Sequence, residues 1–121
     1  MIPPRHAGTF ETLAERVLQA VEQVPTGSVV SYGDVAGIVG TTPRIVGSVM
    51  SQYGSGVAWW RVTNRDGQLP AHLLEEARRH WAEEGIAAGE GGCRIRQHRA
   101  DLDEVAARYE DAIAALGLEP A

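Results

Sequence analysis

The stretch from Ser31 to Tyr53, SYGDVAGIVGTTPRIVGSVMSQY, narrows the fold more than any other part of the chain. Ser31 followed three residues later by Asp34 has the spacing of a capping box, and Val35, Ala36, Ile38 and Val39 supply the apolar content of a short helix. Gly40 and Thr41 can make a turn. Thr42 then offers a second N-cap, and Pro43 at the first helical position forfeits no N–H that the helix needs. The spacing predicts a second helix from Pro43 to about Gln52, with Val46, Val49, Met50 and Tyr53 along one face. Its other face carries Arg44, Gly47, Ser48 and Ser51, a line of small side chains headed by one long cation. Two short helices across such a turn fit a helix-turn-helix. Small residues let a backbone approach a groove, and a helix start presents N–H groups to phosphate. A helical hairpin serving only the core has the same pattern, so nucleic-acid recognition and core architecture both stay open on this stretch.

The flanks extend a mainly α reading. Apolar positions Leu13, Val17, Leu18, Val21 and Val24 recur at three and four, predicting an amphipathic helix from Phe10 that Pro25-Thr26-Gly27 stops. SVVSYG reads as a short strand ending at Ser31. Arg65-Asp66-Gly67-Gln68 reads as a turn, and His72 to Gly85 as a helix with Leu73, Leu74, Ala77 and Trp81 inward. The Gly-rich GIAAGEGGCRIRQHR predicts a loop followed by a short edge strand or extended arm. Asp101 to Leu116 is a final helix with Asp101 as cap and Leu102, Val105, Ala106, Tyr109, Ile113 and Leu116 as its buried stripe. A chain of 121 residues with 44% hydrophobic composition suits one core. The expected organisation is a flexible lead-in over 1–9, a unit over 10–92 that contains the helix pair, and a basic arm with a C-terminal helix over 93–121 packed on that unit.

Charge and cysteine content set bounds on function. Eleven Lys+Arg against sixteen Asp+Glu give a formal charge of -5, the wrong sign for holding nucleic acid by bulk attraction alone. The distribution is uneven: Gly40 to Arg65 holds Arg44, Arg61 and Arg65 and no acid, whereas Asp101, Asp103, Glu104, Glu110, Asp111 and Glu119 crowd the C-terminal end around Arg108. A basic face can coexist with that acidic remainder. The single cysteine, Cys93, excludes an intrachain disulfide framework and any thiolate cluster, which fits a reducing compartment. No stretch reaches transmembrane length, so a cytoplasmic protein is the expectation. His6, His72, His80 and His98 lack metal-ligand spacing, and Cys93 with His98 lacks a third orienting group, so neither a metal, a cofactor nor a cysteine nucleophile is expected.

Beyond the helix pair stands VAWWRV, residues 57–62, with two of the three tryptophans. In order, the apolar first helix, PTGSVVSYGDVAGIVG, TTPRIVGSVM and AWWRV resemble the DNA-binding domain of the O6-alkylguanine-DNA alkyltransferase family, over Phe10 to about Gly85. Active members of that family carry Pro-Cys-His-Arg-Val where this chain has Ala58, Trp59, Trp60, Arg61 and Val62. An indole offers no thiolate to attack an alkyl carbon, and its N–H donates but accepts no proton. Both the nucleophile and its base are thus replaced. The chain looks like an alkyltransferase-like protein, which implies a winged helix-turn-helix-like fold with an added C-terminal helix. The activity implied is non-enzymatic recognition of O6-alkylguanine in double-stranded DNA by nucleotide flipping, marking the lesion for nucleotide excision repair proteins.

The resemblance also implies roles. Arg44 matches the arginine that enters the duplex in place of the extruded nucleotide, and Tyr32 the tyrosine that helps rotate it at its phosphate. Trp59, Trp60 and Arg61 fall on the lesion pocket; for Trp60 a core position, and for Arg61 an internal hydrogen-bonded strut, stay open. Ser31, Thr42, Gly47, Ser48 and Ser51 fall on the DNA backbone or groove contacts, although capping alone can satisfy Ser31 and Thr42. Glu84-Gly85 resembles the family's closing Glu-Gly pair, but without the histidine partner Glu84 is expected to face solvent or end its helix. The connection from Asn64 to Pro70 is shorter than in the family, which implies either an open pocket that admits larger O6 adducts or weaker discrimination. A monomer without membrane association is expected. The competing expectation is a transcriptional or architectural helix-turn-helix protein with no preference for the lesion.

Overall fold

The structure, a computed structural model, describes residues 7–118. Helix α1 spans Ala7–Glu22, strand β1 Val30–Ser31, helix α2 Tyr32–Val39 and helix α3 Pro43–Tyr53. The capping signals are all realised. Ser31 Oγ accepts from Asp34 N at 3.0 Å while Ser31 N donates to Asp34 Oδ2 at 2.8 Å, closing the box that starts α2. Gly40 ends that helix in the left-handed region, and Thr42 Oγ1 accepts from Ile45 N at 3.2 Å to start α3 with Pro43 in its first turn. The inward faces of α1, α2 and α3 meet in one core that includes Val17, Val21, Val35, Val39, Val46 and Val49. Tyr53 departs from the stripe expected of it. It lies at the last position of α3, beyond the cover of α1 and α2, and stays 43% exposed.

Past α3, two short 3-10 turns lead through Trp59–Arg61 into strand β2, Val62–Thr63, which pairs parallel with β1 through Val30 with Val62 and Ser31 with Thr63. Helix α4 spans Leu74–Glu84, after a 3-10 turn over Ala71–Leu73. It belongs to a second cluster in which Val29, Leu69, Ala77, Trp81, Ile86, Cys93 and Ile95 are buried. The segment expected as a loop followed by a short edge strand or arm does form short strands, but they pair as a hairpin of β3, Ala88–Gly89, and β4, Gly92–Cys93, and the one-turn helix α5, Ile95–His98, follows in place of an arm. The reason is a close backbone approach. Cys93 N donates to Gly67 O at 2.8 Å, and a Cβ on Gly92 would sit 2.0 Å from Gly67 O, so the turn after β2 and the hairpin lock together only through two glycines.

Helix α6, Leu102–Ala115, is capped by Asp101 Oδ1, which accepts from Asp103 N and Glu104 N, and it packs against α1 and α2. Its Val105, Tyr109 and Ile113 join the first core; Leu116 lies past its end and is exposed. Two boundaries expected from sequence move. Residues 7–9 belong to α1, while 1–6 of the expected lead-in lie outside the described residues. The division at 92/93 would cut β4, which is tied to the preceding turn, and residues 98–100 return to bond Val29 on the other side of β1. No described helix is long and apolar enough to cross a membrane.

Candidate nucleic-acid interface

A cavity of about 410 Å³ opens between α3, the Trp59–Arg61 turn and the start of α4. Tyr32, Gly47, Ser51 and Trp59 line it together, so four of the residues singled out in the sequence converge on one concavity. Met50, Ser55, Leu69, Pro70, His72 and Glu76 are among the others on its wall. The wall as a whole comes from four separate stretches of chain, and no local pattern marks them as neighbours. Burial pushes the Tyr32 phenol above its ordinary value, so at neutral pH it is a neutral hydroxyl able to donate to an anionic oxygen.

The two tryptophans part company. Trp59 walls the cavity, while Trp60 does not line it. The Trp60 ring lies flat on His80, with centroids 3.5 Å apart and planes 4° apart, and Trp59 stands edge-on to both, 5.7 Å from Trp60 and 6.0 Å from His80. Trp60 Nε1 donates to Glu84 Oε2 at 2.7 Å, and Trp81, fully buried in α4, donates from its own indole to Trp60 O at 2.7 Å. The site segment is thus stitched to α4 by one side chain and one main-chain oxygen.

Arg61 also turns away from the cavity. Its guanidinium donates to both Glu84 oxygens at 2.8–3.2 Å, to Val24 O at 3.1 Å and to Thr26 Oγ1 at 3.0 Å. It therefore joins the loop after α1 to α4. Of the two places left open for Arg61 and for Trp60, their contacts fit the one behind the cavity rather than in it, since each side-chain nitrogen of the pair donates to a protein oxygen. Glu84 ends α4, one of the two places expected for it, but does not face solvent: its side chain is only 9% exposed and also accepts from Gly27 N at 2.9 Å. Burial pushes its carboxyl up, yet the hydrogen bonds from Arg61, Gly27 and Trp60 together with the Arg61 charge outweigh this and hold it below its ordinary value.

On the open side of α3, Arg44 is exposed at the second helical position and makes no hydrogen bond or ion pair among the described residues. Thr42 and Ser48 are exposed nearby on the same element or its cap. Ser31 differs from its expected place on a DNA-contacting surface. It is 5% exposed, and its hydroxyl is occupied as the α2 cap. Of the basic arm, Arg99 pairs with Asp34, whereas Arg94 and Arg96 are exposed beside Arg65 on a second, polar concavity that Asp66 and Glu90 also line. Cys93 is buried and its thiol is pushed up to about 11 by that burial, which makes it a poor nucleophile at neutral pH.

Sequence reasoning missed Glu76, His80 and the hub at Glu84. A signal was present: His72, Glu76, His80 and Glu84 stand four apart, one polar stripe directed at the site segment.

Comparison with known proteins agrees with this arrangement. The profile of the family described as 6-O-methylguanine DNA methyltransferase, DNA binding domain, matches residues 12–86. A DNA base-flipping protein of Escherichia coli (strain K12) is 34% identical over 96 residues, covering 74% of each chain, and one from Shigella flexneri matches to the same extent. Among solved structures, S. pombe ATL in complex with DNA shares 27% identity at a TM-score of 0.56, covering 78% of this chain and 94% of that one. S. pombe Atl1, solved with damaged DNA containing O6-carboxymethylguanine, superposes at a TM-score of 0.65 with 24% identity over 75% of this chain and 96% of that one, a likeness of fold. Helix α6 lies beyond the residues matched by the family profile. With the profile spanning both the helix pair and the Trp59 segment, the chain belongs to the 6-O-methylguanine DNA methyltransferase DNA-binding family, as an alkyltransferase-like member.

Proposed function

We propose that this protein recognises O6-alkylguanine in duplex DNA by drawing the flipped nucleotide into the cavity beside α3, and marks the lesion without repairing it. The observation that carries this reading is the indole of Trp59 on the wall of that cavity, at the position where the resemblance calls for a reactive cysteine. A volume of about 410 Å³ falls within the ~300–1,000 Å³ usual for pockets that enclose a small molecule. Trp59 supplies a flat apolar face for a base or its alkyl group and no sulfur to receive it. The base assisting such a sulfur is absent too, since Trp60 stands in the next position with its only polar hydrogen committed to Glu84.

The remaining parts have complementary tasks. Arg44, exposed and free of partners among the described residues, fills the space left in the duplex and offsets part of the unstacking cost of a few kcal/mol. Tyr32, a neutral donor at the cavity, engages the phosphate of the rotating nucleotide. Gly47 lets the duplex approach α3, and Thr42, Ser48 and Ser51 offer hydroxyls to it. On this reading the protein acts as a monomer in the cytoplasm, on the nucleoid, and hands the marked site to nucleotide excision repair proteins. The test is equilibrium binding, at one stated salt concentration, to matched duplexes with guanine or O6-methylguanine. Native protein prefers the lesion; Arg44→Ala and Tyr32→Phe weaken binding to it. Equal native affinity for the two duplexes refutes the proposal in favour of a helix-turn-helix protein without lesion specificity.

A further inference from the structure

We infer that Glu76 sets the charge preference of the cavity, making it a site for neutral or hydrogen-bond-donating O6 substituents and a poor one for anionic substituents. The inference rests on the reading that the alkylated base enters this cavity, and it deepens that reading to a substrate class. Among the lining residues Glu76 is the carboxylate and none is an arginine; the other titratable side chains on the wall are Tyr32, which stays neutral, and His72. A carboxylate only accepts hydrogen bonds. A hydroxyl or amine at the end of an O6 chain can donate to it, whereas a second carboxylate meets like charge in a concavity partly walled by apolar groups.

Glu76 is exposed but has a neighbour that is itself held in place. An Oε of Glu76 lies 3.6 Å from Nε2 of His80, one helical turn further on. The His80 ring is in turn clamped flat against Trp60 at 3.5 Å and bordered edge-on by Trp59 at 6.0 Å. Trp60 is itself fixed by Glu84 and by the Trp81 indole on its carbonyl. A series of contacts therefore runs from the strut behind the site through His80 to the carboxylate on the cavity wall. This gives the second tryptophan a part in recognition although it does not line the cavity: it holds the ring that sits beside Glu76.

The experiment compares duplexes carrying O6-(2-hydroxyethyl)guanine and O6-carboxymethylguanine, which differ little in size but differ in charge and in donor capacity. Because the Glu76 side chain is 54% exposed, the expected preference is modest, roughly fivefold in dissociation constant for hydroxyethyl over carboxymethyl, shrinking with added salt. In Glu76→Gln the ratio falls towards one through a gain on the carboxymethyl duplex, while in His72→Gln it is retained. Thermal melting of each variant confirms that the fold is kept, as expected for substitutions of exposed side chains. Native protein that binds the carboxymethyl duplex as tightly as the hydroxyethyl one overturns the inference. So does a ratio unchanged in Glu76→Gln or lost in His72→Gln. Binding of guanine and O6-methylguanine by native protein separates the two levels: no preference there removes the cavity reading itself, whereas a preference with a flat charge ratio removes only the role of Glu76.

Discussion

Replacing Glu84 by alanine tests whether the site segment is held from behind. The native carboxylate satisfies the guanidinium of Arg61 through three contacts, the indole N–H of Trp60 and the main-chain N–H of Gly27. Its loss strands a guanidinium whose side chain is only 16% exposed. Removing one partner of a buried ion pair costs about 3–5 kcal/mol. Arg61 keeps its bonds to Val24 O and Thr26 Oγ1 and some access to water, which places the ion-pair part near the lower limit. The stranded donors of Gly27 and Trp60 add to it, so the total is about 3–4 kcal/mol. With an unfolding entropy of ~2 cal/mol/K per residue over a chain of 121 residues, that is a fall in Tm of roughly 12–16 °C. Urea unfolding followed by far-UV circular dichroism measures the free energy directly. Arg61→Met combined with Glu84→Leu should recover part of the loss, because the double replacement leaves no unpaired charge. A loss below about 1 kcal/mol in Glu84→Ala, or strict additivity of the two single changes, refutes the strut.

Further outcomes follow from the same geometry. The Glu84 carboxyl is held below its ordinary value of 4.5, so its contribution is complete above that pH and disappears as pH falls through the lower folded value; Glu84→Gln therefore flattens the acid limb of a stability–pH curve. Trp60→Phe keeps a ring on His80 but deletes the donor to Glu84, costing about 1–2 kcal/mol in stability, while Trp59→Ala chiefly lowers discrimination between lesion and guanine in a binding titration. Gly92→Ala forces a Cβ against Gly67 O and destabilises by about 2–3 kcal/mol, read from the urea midpoint. Trp59→Cys does not restore alkyl transfer, as assayed with a labelled alkyl group, because Trp60 supplies no proton acceptor beside the new thiol.

Those features that depend on neighbours along the chain were legible in the sequence. Ser31 with Asp34 and Thr42 with Pro43 mark the starts of α2 and α3 because a cap is made within three residues of itself, and the stripes of α1 and α6 follow from helical periodicity. The prominence of Trp59 was likewise legible, through the segment around it. What escaped depends on residues brought together by folding. Glu84 reads as a polar helix end, yet its ligands are 23, 24 and 57 residues away, and one of them is a main-chain N–H that carries no side-chain signal. Trp60 was undecided between pocket and core because an indole suits both, and only its stack on His80 settles the direction of the ring. The segment after α4 reads as a loop followed by a short strand or arm, and its pairing as a hairpin is hidden because the register rests on the contact of Gly67 with Gly92, which no alternation of apolar residues encodes.

The central claim, recognition of the lesion without its removal, meets its most direct test in one incubation of native protein with a duplex carrying O6-methylguanine labelled on the methyl carbon. Bound and free fractions are compared with those of the guanine duplex, and the label is then traced. Tighter retention of the lesion duplex, with all label recovered in the DNA, is the expected result. Equal retention of the two duplexes, or label transferred to the protein, contradicts it.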